Sequence, residues 1–157
     1  MVQTLLKNLL LAIGIVLVLA QFFGPEKNNG DADSVTAFLQ ETNANAEATA
    51  ILKSSCFDCH SSSTTYPWYN NITPVNYWLA DHVKDGKRHF NVSNWSDYSN
   101  KKKDHKLEEL IEEVEEQEMP LPSYTLTHGD LSSEEINTLI SWAKSARLNY
   151  AFEGEAQ

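Results

Sequence analysis

Five consecutive residues of this 157-residue chain, Cys56-Phe57-Asp58-Cys59-His60, hold both of its cysteines. Thiols three positions apart lie on one side of a helical turn, so they can act together on one group. An imidazole immediately after them can bind a metal at that group. Three chemistries use such a set. A dithiol can exchange electrons through a disulfide, and two thiolates can supply half of a zinc site. Two thiols can also bond the two vinyl groups of one porphyrin, with the histidine under its iron.

The rest of the chain separates these three. A thioredoxin-like dithiol sits at a strand-to-helix junction of an α/β domain, and no strand pattern appears here. A zinc site needs two further ligands at regular spacing. His82, His89, His105 and His128 are too scattered for the usual pair of histidines on one arm. Cys-x-x-Cys-His is the attachment signature of c-type haem. The expectation is therefore one covalently attached haem c, with Cys56 and Cys59 as thioethers and His60 as the proximal iron ligand.

The opposite side of the iron needs its own ligand. Met119 is the one methionine besides the initiator, and Pro120 follows it in a loop before a capped helix. It is the expected distal ligand, with His128 and then His82 as substitutes. The plainer role for Met119 is to fill a gap at a helix end. With no distal side chain bound, the iron would be open to peroxide, nitric oxide or carbon monoxide.

The elements that must position these residues read as helices. Ser34 is placed as a cap before a helix from Val35, and Ala44 to Ser54 runs helically into the cysteines. Ser61 to Asn71 reads as a loop. Thr73-Pro74 is a helix start, with Val75, Trp78, Leu79, His82 and Val83 at helical spacing and Gly86 as the close. Asn91 to Asn100 is irregular, anchored by Trp95 and Tyr98. Lys101 to Glu118 carries the apolar stripe Leu107, Leu110, Ile111 and Val114. Met119-Pro120-Leu121-Pro122 stops it. Leu131 to Arg147 is the last helix, with Ser132 and Glu135 as a capping box and Ile136, Leu139, Ile140 and Ala143 as its buried face. The fold class is mainly α. One small domain over 34–150 follows a linker at 25–33 and precedes a tail at 151–157.

Before that linker, Leu5 to Phe23 is apolar except for Lys7, Asn8 and Gln21. As a helix it would span about 28 Å at roughly 1.5 Å per residue, close to the hydrocarbon thickness of a bilayer. Residues 1–24 therefore read as a membrane anchor ended by Gly24-Pro25. A signal peptide cleaved after Val18-Leu19-Ala20 is the rival. Lys7 sits at the N-terminal side of the run, while Glu26, Asp31 and Asp33 follow it, so the domain is expected outside the cytoplasm, which is the periplasm in a bacterium with two membranes.

The formal net charge is −10. Nucleic acid is excluded as a partner, since phosphate contacts need clustered Lys and Arg. An acidic surface steers toward basic partners. The helix from Lys101 sharpens this. Its lysines lie at the N-terminal end and Glu112, Glu113, Glu115, Glu116 and Glu118 at the C-terminal end, the reverse of what the helix dipole favours. The plainer role of such a face is simple solvation. No motif for nucleophilic catalysis, phosphate binding or metal hydrolysis is found, so no catalytic residue is assigned.

The order of parts resembles class I c-type cytochromes, in which a first helix enters Cys-x-x-Cys-His and a Met-Pro loop precedes a final helix. Cys56 to Ser61, Tyr66-Pro67-Trp68-Tyr69, Pro74, His82-Val83, Asn91 with Trp95, Met119-Pro120-Leu121, Tyr124, His128 and Trp142-Ala143 narrow the match. Together with the anchor and its Gln-Phe-Phe-Gly-Pro-Glu-Lys-Asn exit, they are similar to the family of small membrane-anchored haem-binding-domain proteins. That resemblance implies a class I cytochrome c-like helical domain around one haem. The function expected is single-electron transfer outside the cytoplasm, to redox partners with a basic docking surface and without substrate chemistry of its own. A haem-based gas sensor or peroxidase-like protein is the alternative.

Overall fold

The computed structural model describes residues 1–151; the tail expected at 151–157 lies outside them after its first residue. Among the described residues the architecture is mainly α, and the only β-type pairing is an isolated antiparallel bridge between Asn29 and Ser63. The first helix, α1, is Val2–Ala20. Its run of Leu, Ile, Val and Ala gives a mean hydropathy of 2.1, and none of it is buried, so it is long and apolar enough to cross a membrane.

A 3-10 turn at Ala32–Val35 leads into α2, Thr36–Glu41. Asp31, not Ser34, caps that turn by accepting from the Asp33 amide; Ser34 already lies inside it and donates to the Asp31 carbonyl. Next come α3, Ala46–Ser55, and α4, Phe57–His60. Asn45 caps α3 by accepting from the Ala48 amide, satisfying one of the unpaired N–H groups of the first turn. The chain then forms α5, Val75–His89, and α6, Asn100–Glu115. Last are α7, Pro122–His128, and α8, Ser133–Ala151.

Several boundaries differ from the sequence reading, among them that of the last helix, which runs over Ser133–Ala151 and past the expected end at Arg147. Gly86 does not close α5; the helix continues through it for another three residues, to His89. Thr73 does not cap α5, because its hydroxyl donates to the Phe23 carbonyl instead. The acidic helix ends at Glu115, and Gln117 turns the chain with φ of 60°. Pro122 starts α7 where a loop was expected, since proline at the first helical position is preorganised for a helix. The capping box is as expected: the Ser132 amide donates to Glu135 and the Glu135 amide to the Ser132 hydroxyl.

The core joins an aromatic cluster centred on Phe38 to the packed pair α6 and α8. Phe38 is fully buried and meets Phe57, Phe90, Trp95 and Trp142 edge-on, with centroids 4.9–6.2 Å away. The positive ring edge against a neighbour's negative face favours that geometry. Leu107, Ile111 and Val114 of α6 are buried in one cluster with Leu139, Trp142, Ala143 and Ala146 of α8. Trp142 donates to the Thr42 carbonyl at 3.1 Å, so its buried N–H is satisfied. Phe38→Ala is expected to cost about 3–5 kcal/mol, read as a lowered urea midpoint at unchanged slope.

One lysine at the N-terminal end of α6 has a structural cause. Lys103 is buried, pairs with Glu41 at 2.5 Å, and lies over the rings of Trp95 and Tyr150 at 5.7 Å each. Its cost against the helix dipole is offset by those contacts. The glutamates at the other end, Glu112, Glu113, Glu115, Glu116 and Glu118, are exposed.

Candidate functional site

The break between α3 and α4 builds the site. Cys56 takes φ of −123°, which ends α3, while its amide still donates to the Leu52 carbonyl at 3.0 Å. The amides of Cys59 and His60 then donate to the Cys56 carbonyl at 3.2 and 3.0 Å. This single turn carries both thiols and the imidazole. The thiols are free and half-buried. Burial pushes the Cys56 thiol up to about 12, helped by Cys59, and the Cys59 thiol up to about 11, helped by Asp58.

Those directions bear on the competing chemistries. A redox-active dithiol needs a thiol brought down toward neutrality, and here both move the other way. Zinc needs four ligands. Among the described residues no group of three or more His, Cys, Asp or Glu side chains is placed to hold a metal ion.

His60 is held as a neutral imidazole. Its Nδ1 lies 2.9 Å from the Phe90 carbonyl. That acceptor lacks a proton, so Nδ1 carries the hydrogen and donates it. Nε2 is left with a lone pair. Burial lowers the pKa of the ring, keeping it uncharged. A hydrogen bond of this kind orients a metal-binding imidazole and raises its basicity.

The close approach of α5 makes this possible. A Cβ at Gly86 would stand 2.7 Å from the Cys59 carbonyl oxygen and 3.1 Å from the Cys59 Cβ. The nearer clash is with backbone, which cannot rotate away. Gly86 is therefore in mid-helix to admit the cysteine turn, despite its helix cost. Gly86→Ala is expected to destabilise the fold on the order of 3 kcal/mol, measured by urea unfolding, and to shift the His60 ring signals in NMR.

The loop after His60 is braced by a residue read as linker. Asn28 donates from Nδ2 to the Ser61 carbonyl and the Thr64 hydroxyl, both at 2.9 Å. Its amide donates to the Tyr66 hydroxyl at 2.6 Å, and its Oδ1 accepts from Lys87 at 2.6 Å. Gly30 follows, where a Cβ would come within 2.6 Å of the Ser62 carbonyl. The segment 28–30 thus packs on the loop beyond the motif. Its partners are more than thirty residues away in sequence, so local spacing gave no sign of them.

A strap crosses the other side of the turn. Met119 is half-buried at its start, its amide donating to the Glu113 carbonyl at 3.1 Å. Tyr124 of α7 donates to the Ser54 carbonyl at 2.8 Å. Burial raises the Tyr124 phenol to about 12, and Asp58, Cys59 and Cys56 add to the rise, so it lies beside the cysteines. His128 stacks on Tyr124 at 4.0 Å and edges onto Tyr69 at 6.5 Å. Burial raises the Asp58 carboxyl, against smaller lowering by its bond from the Thr65 amide and by His128. The sequence names Tyr124 and Asn28 but shows neither one's role, which rests on contacts with distant residues.

The structure brings Cys56, Cys59, His60, Tyr124 and His128 together, with Met119 leading the strap. His82 lies one turn before Gly86 on the same face of α5, its Nδ1 2.8 Å from the Trp78 carbonyl and its ring 4.3 Å from that of Trp78. His89 and His105 are exposed; His105 faces Glu108 and Glu109 at 3.7 and 3.2 Å. A neutral imidazole that donates through Nδ1 and two uncharged thiols on its own turn fit an iron-bearing porphyrin. The profile of a family described as a haem-binding domain matches residues 15–145. No curated protein and no solved structure matches the chain.

Proposed function

This chain belongs to the haem-binding domain family and is a haem protein; from that premise we propose that it is a membrane-tethered monohaem c-type cytochrome that transfers single electrons outside the cytoplasm. One haem c is attached through thioethers at Cys56 and Cys59, with His60 Nε2 as proximal ligand and Met119 as distal ligand. The observation that carries this reading is the His60 ring, fixed through Nδ1 to Phe90 with two free thiols on the same turn.

When bound, haem supplies a one-electron iron couple. The chain's own residues do the rest. The Phe90 carbonyl holds the proton on Nδ1, so Nε2 would face the metal as a base in one orientation. Asn28, Ser61 and Thr64 keep the loop beyond His60 in place. Tyr124 ties the strap to Ser54, covering the cysteines from water. The layout is class I-like: first helix into the motif, methionine strap, final helix. Residues 1–24 are the retained anchor, 25–33 the linker and 34–150 the haem domain. With Lys7 on the inner side, the domain faces the periplasm.

The test is a reduced-minus-oxidised spectrum of the full-length protein, repeated under carbon monoxide. A low-spin haem in both oxidation states, closed to carbon monoxide, is the expected result. High-spin iron that binds carbon monoxide readily would replace electron transfer with sensing or peroxidase chemistry. Low-spin, closed iron without a methionine signature would favour His128, which lies against the cysteine turn.

The exposed glutamates of α6 run directly toward Met119 in the chain, so the acidic patch adjoins the strap. A redox partner with a basic surface would dock there. Its electron-transfer rate is expected to fall steeply as salt rises, and to fall at low salt when Glu112, Glu113 and Glu116 are changed to Gln. Rates indifferent to both changes would remove this surface from the proposal.

A further inference from the structure

Hydrogen bonds bridge the joint between α1 and the helical domain. The Gln21 side chain donates from Nε2 to the Leu17 carbonyl at 2.8 Å and to the Thr73 carbonyl at 3.1 Å, and its Oε1 accepts from the Thr73 amide at 2.9 Å. One amide thus pairs with both polar groups of the Thr73 backbone. The Thr73 hydroxyl donates to the Phe23 carbonyl at 3.3 Å and accepts from Asn76 at 3.0 Å. Asn76 in turn sits where a Cβ on Gly24 would meet it at 3.2 Å. The exit segment forms one wall of a cleft of about 300 Å³, facing Tyr66, Asn70, Asn76 and Ala80.

These bonds fix a height. Gln21 reaches back to Leu17 while holding Thr73, so Thr73 stands beside the last turn of α1, not beyond it. A helix of this length ends near the boundary of the hydrocarbon core. What touches its last turn therefore lies in the head-group layer, about 5–7 Å thick on each side. Exposed apolar residues cluster at this level. Phe22 and Phe23, just past the helix end, are 80% and 70% exposed. Ile72, bonded to Thr73, is 42% exposed, and Tyr77, one turn further along α5, is 45% exposed. Tyr77 points away from the face of α5 that carries His82 and Gly86, so it belongs to the surface beside the anchor and not to the cysteine turn. Aromatic side chains favour the membrane interface, where one end is wet and the ring is not.

We infer that Phe22, Phe23, Ile72 and Tyr77 form a membrane-seating face that rests in the outer head-group layer and holds the haem domain flat against the bilayer. The inference rests on the reading of α1 as a retained anchor. Its surface is continuous with the lipid-facing surface of α1, which argues for the same bilayer as its occupant. The consequence is a fixed orientation of the cysteine turn, instead of a domain swinging on a tether.

The test uses the full-length holoprotein in nanodiscs of phosphatidylethanolamine and phosphatidylglycerol. A small share of the lipid carries a diazirine at the head-group end of one acyl chain. After photolysis and digestion, mass spectrometry is expected to find label on α1, on Phe22 and Phe23 and on the stretch from Ile72 to Tyr77. Glu112 to Glu118 should carry none. In an Ile72→Asp/Tyr77→Asp variant that keeps its haem, label on that stretch should be lost while label on α1 remains. Label on α1 without label at 72–77, or label there that survives the double variant, would overturn the seating face and leave the anchor standing. A mature chain lacking residues 1–20, with no label anywhere, would instead overturn the anchor and the seating face together.

Discussion

Replacing Cys56 and Cys59 together with alanine is expected to leave the protein band without haem colour on a denaturing gel stained for peroxidase activity. The wild-type band should keep its colour after boiling, because thioether bonds survive unfolding and a ligand bond from His60 does not. Each single variant should keep one thioether and an intermediate amount of stain. The folded chain should also weaken. Both side chains are half-buried beside the core, and a covalently held porphyrin adds apolar burial that the small domain lacks without it. Burial pushes both thiols up, to about 12 and 11, so they are protonated at neutral pH. Colour retained by the double variant would show that attachment runs through other groups.

Met119→Ala should have the next largest effect. The oxidised wild-type protein is expected to show the weak near-infrared band of methionine bound to ferric iron, and the variant to lose it. The potential should fall, since thioether ligation raises it relative to a second imidazole or water. Carbon monoxide should then bind the reduced form, while the gel stain is unchanged because Cys56 and Cys59 remain. Pro120 and Pro122 restrict the chain just after Met119, and its amide is held by Glu113. The thioether is thus presented at little conformational cost. A wild-type protein that lacks the band and takes up carbon monoxide freely would remove Met119 from the site and put an open-iron chemistry first. If the band is absent and the iron closed, His128→Ala is the next variant, since that ring stacks on Tyr124 at the edge of the cysteine turn.

The residues read first were those whose meaning is local. Cys56, Cys59 and His60 declare themselves because thiol and imidazole chemistry at that spacing fits within one turn. The Ser132–Glu135 box, the apolar stripe of α6 and the long apolar run of α1 are likewise set by neighbours within one or two turns, and each is found where it was expected. Helix ends went astray where distant contacts outweighed local preference. Gly86 resembles a helix stop, yet it is needed in mid-helix because the Cys59 backbone presses on it from another element. Thr73 has the hydroxyl of a cap, yet the Phe23 carbonyl just past α1 takes it.

Tertiary structure alone decided which polar groups hold the site. Asn28 looks like a turn residue, and only folding brings Ser61, Thr64, Tyr66 and Lys87 around it. Gln21 looks like a break in an apolar run, and only folding pairs its amide with both backbone groups of Thr73, 52 positions away. Tyr124 gained its place beside the cysteines in the same way, across 70 residues to Ser54. The physical reason is common to all three. A buried or half-buried backbone polar group must find a partner, and the partner is chosen by which chain segments packing brings within about 3 Å, a matter on which residue order along the chain is silent.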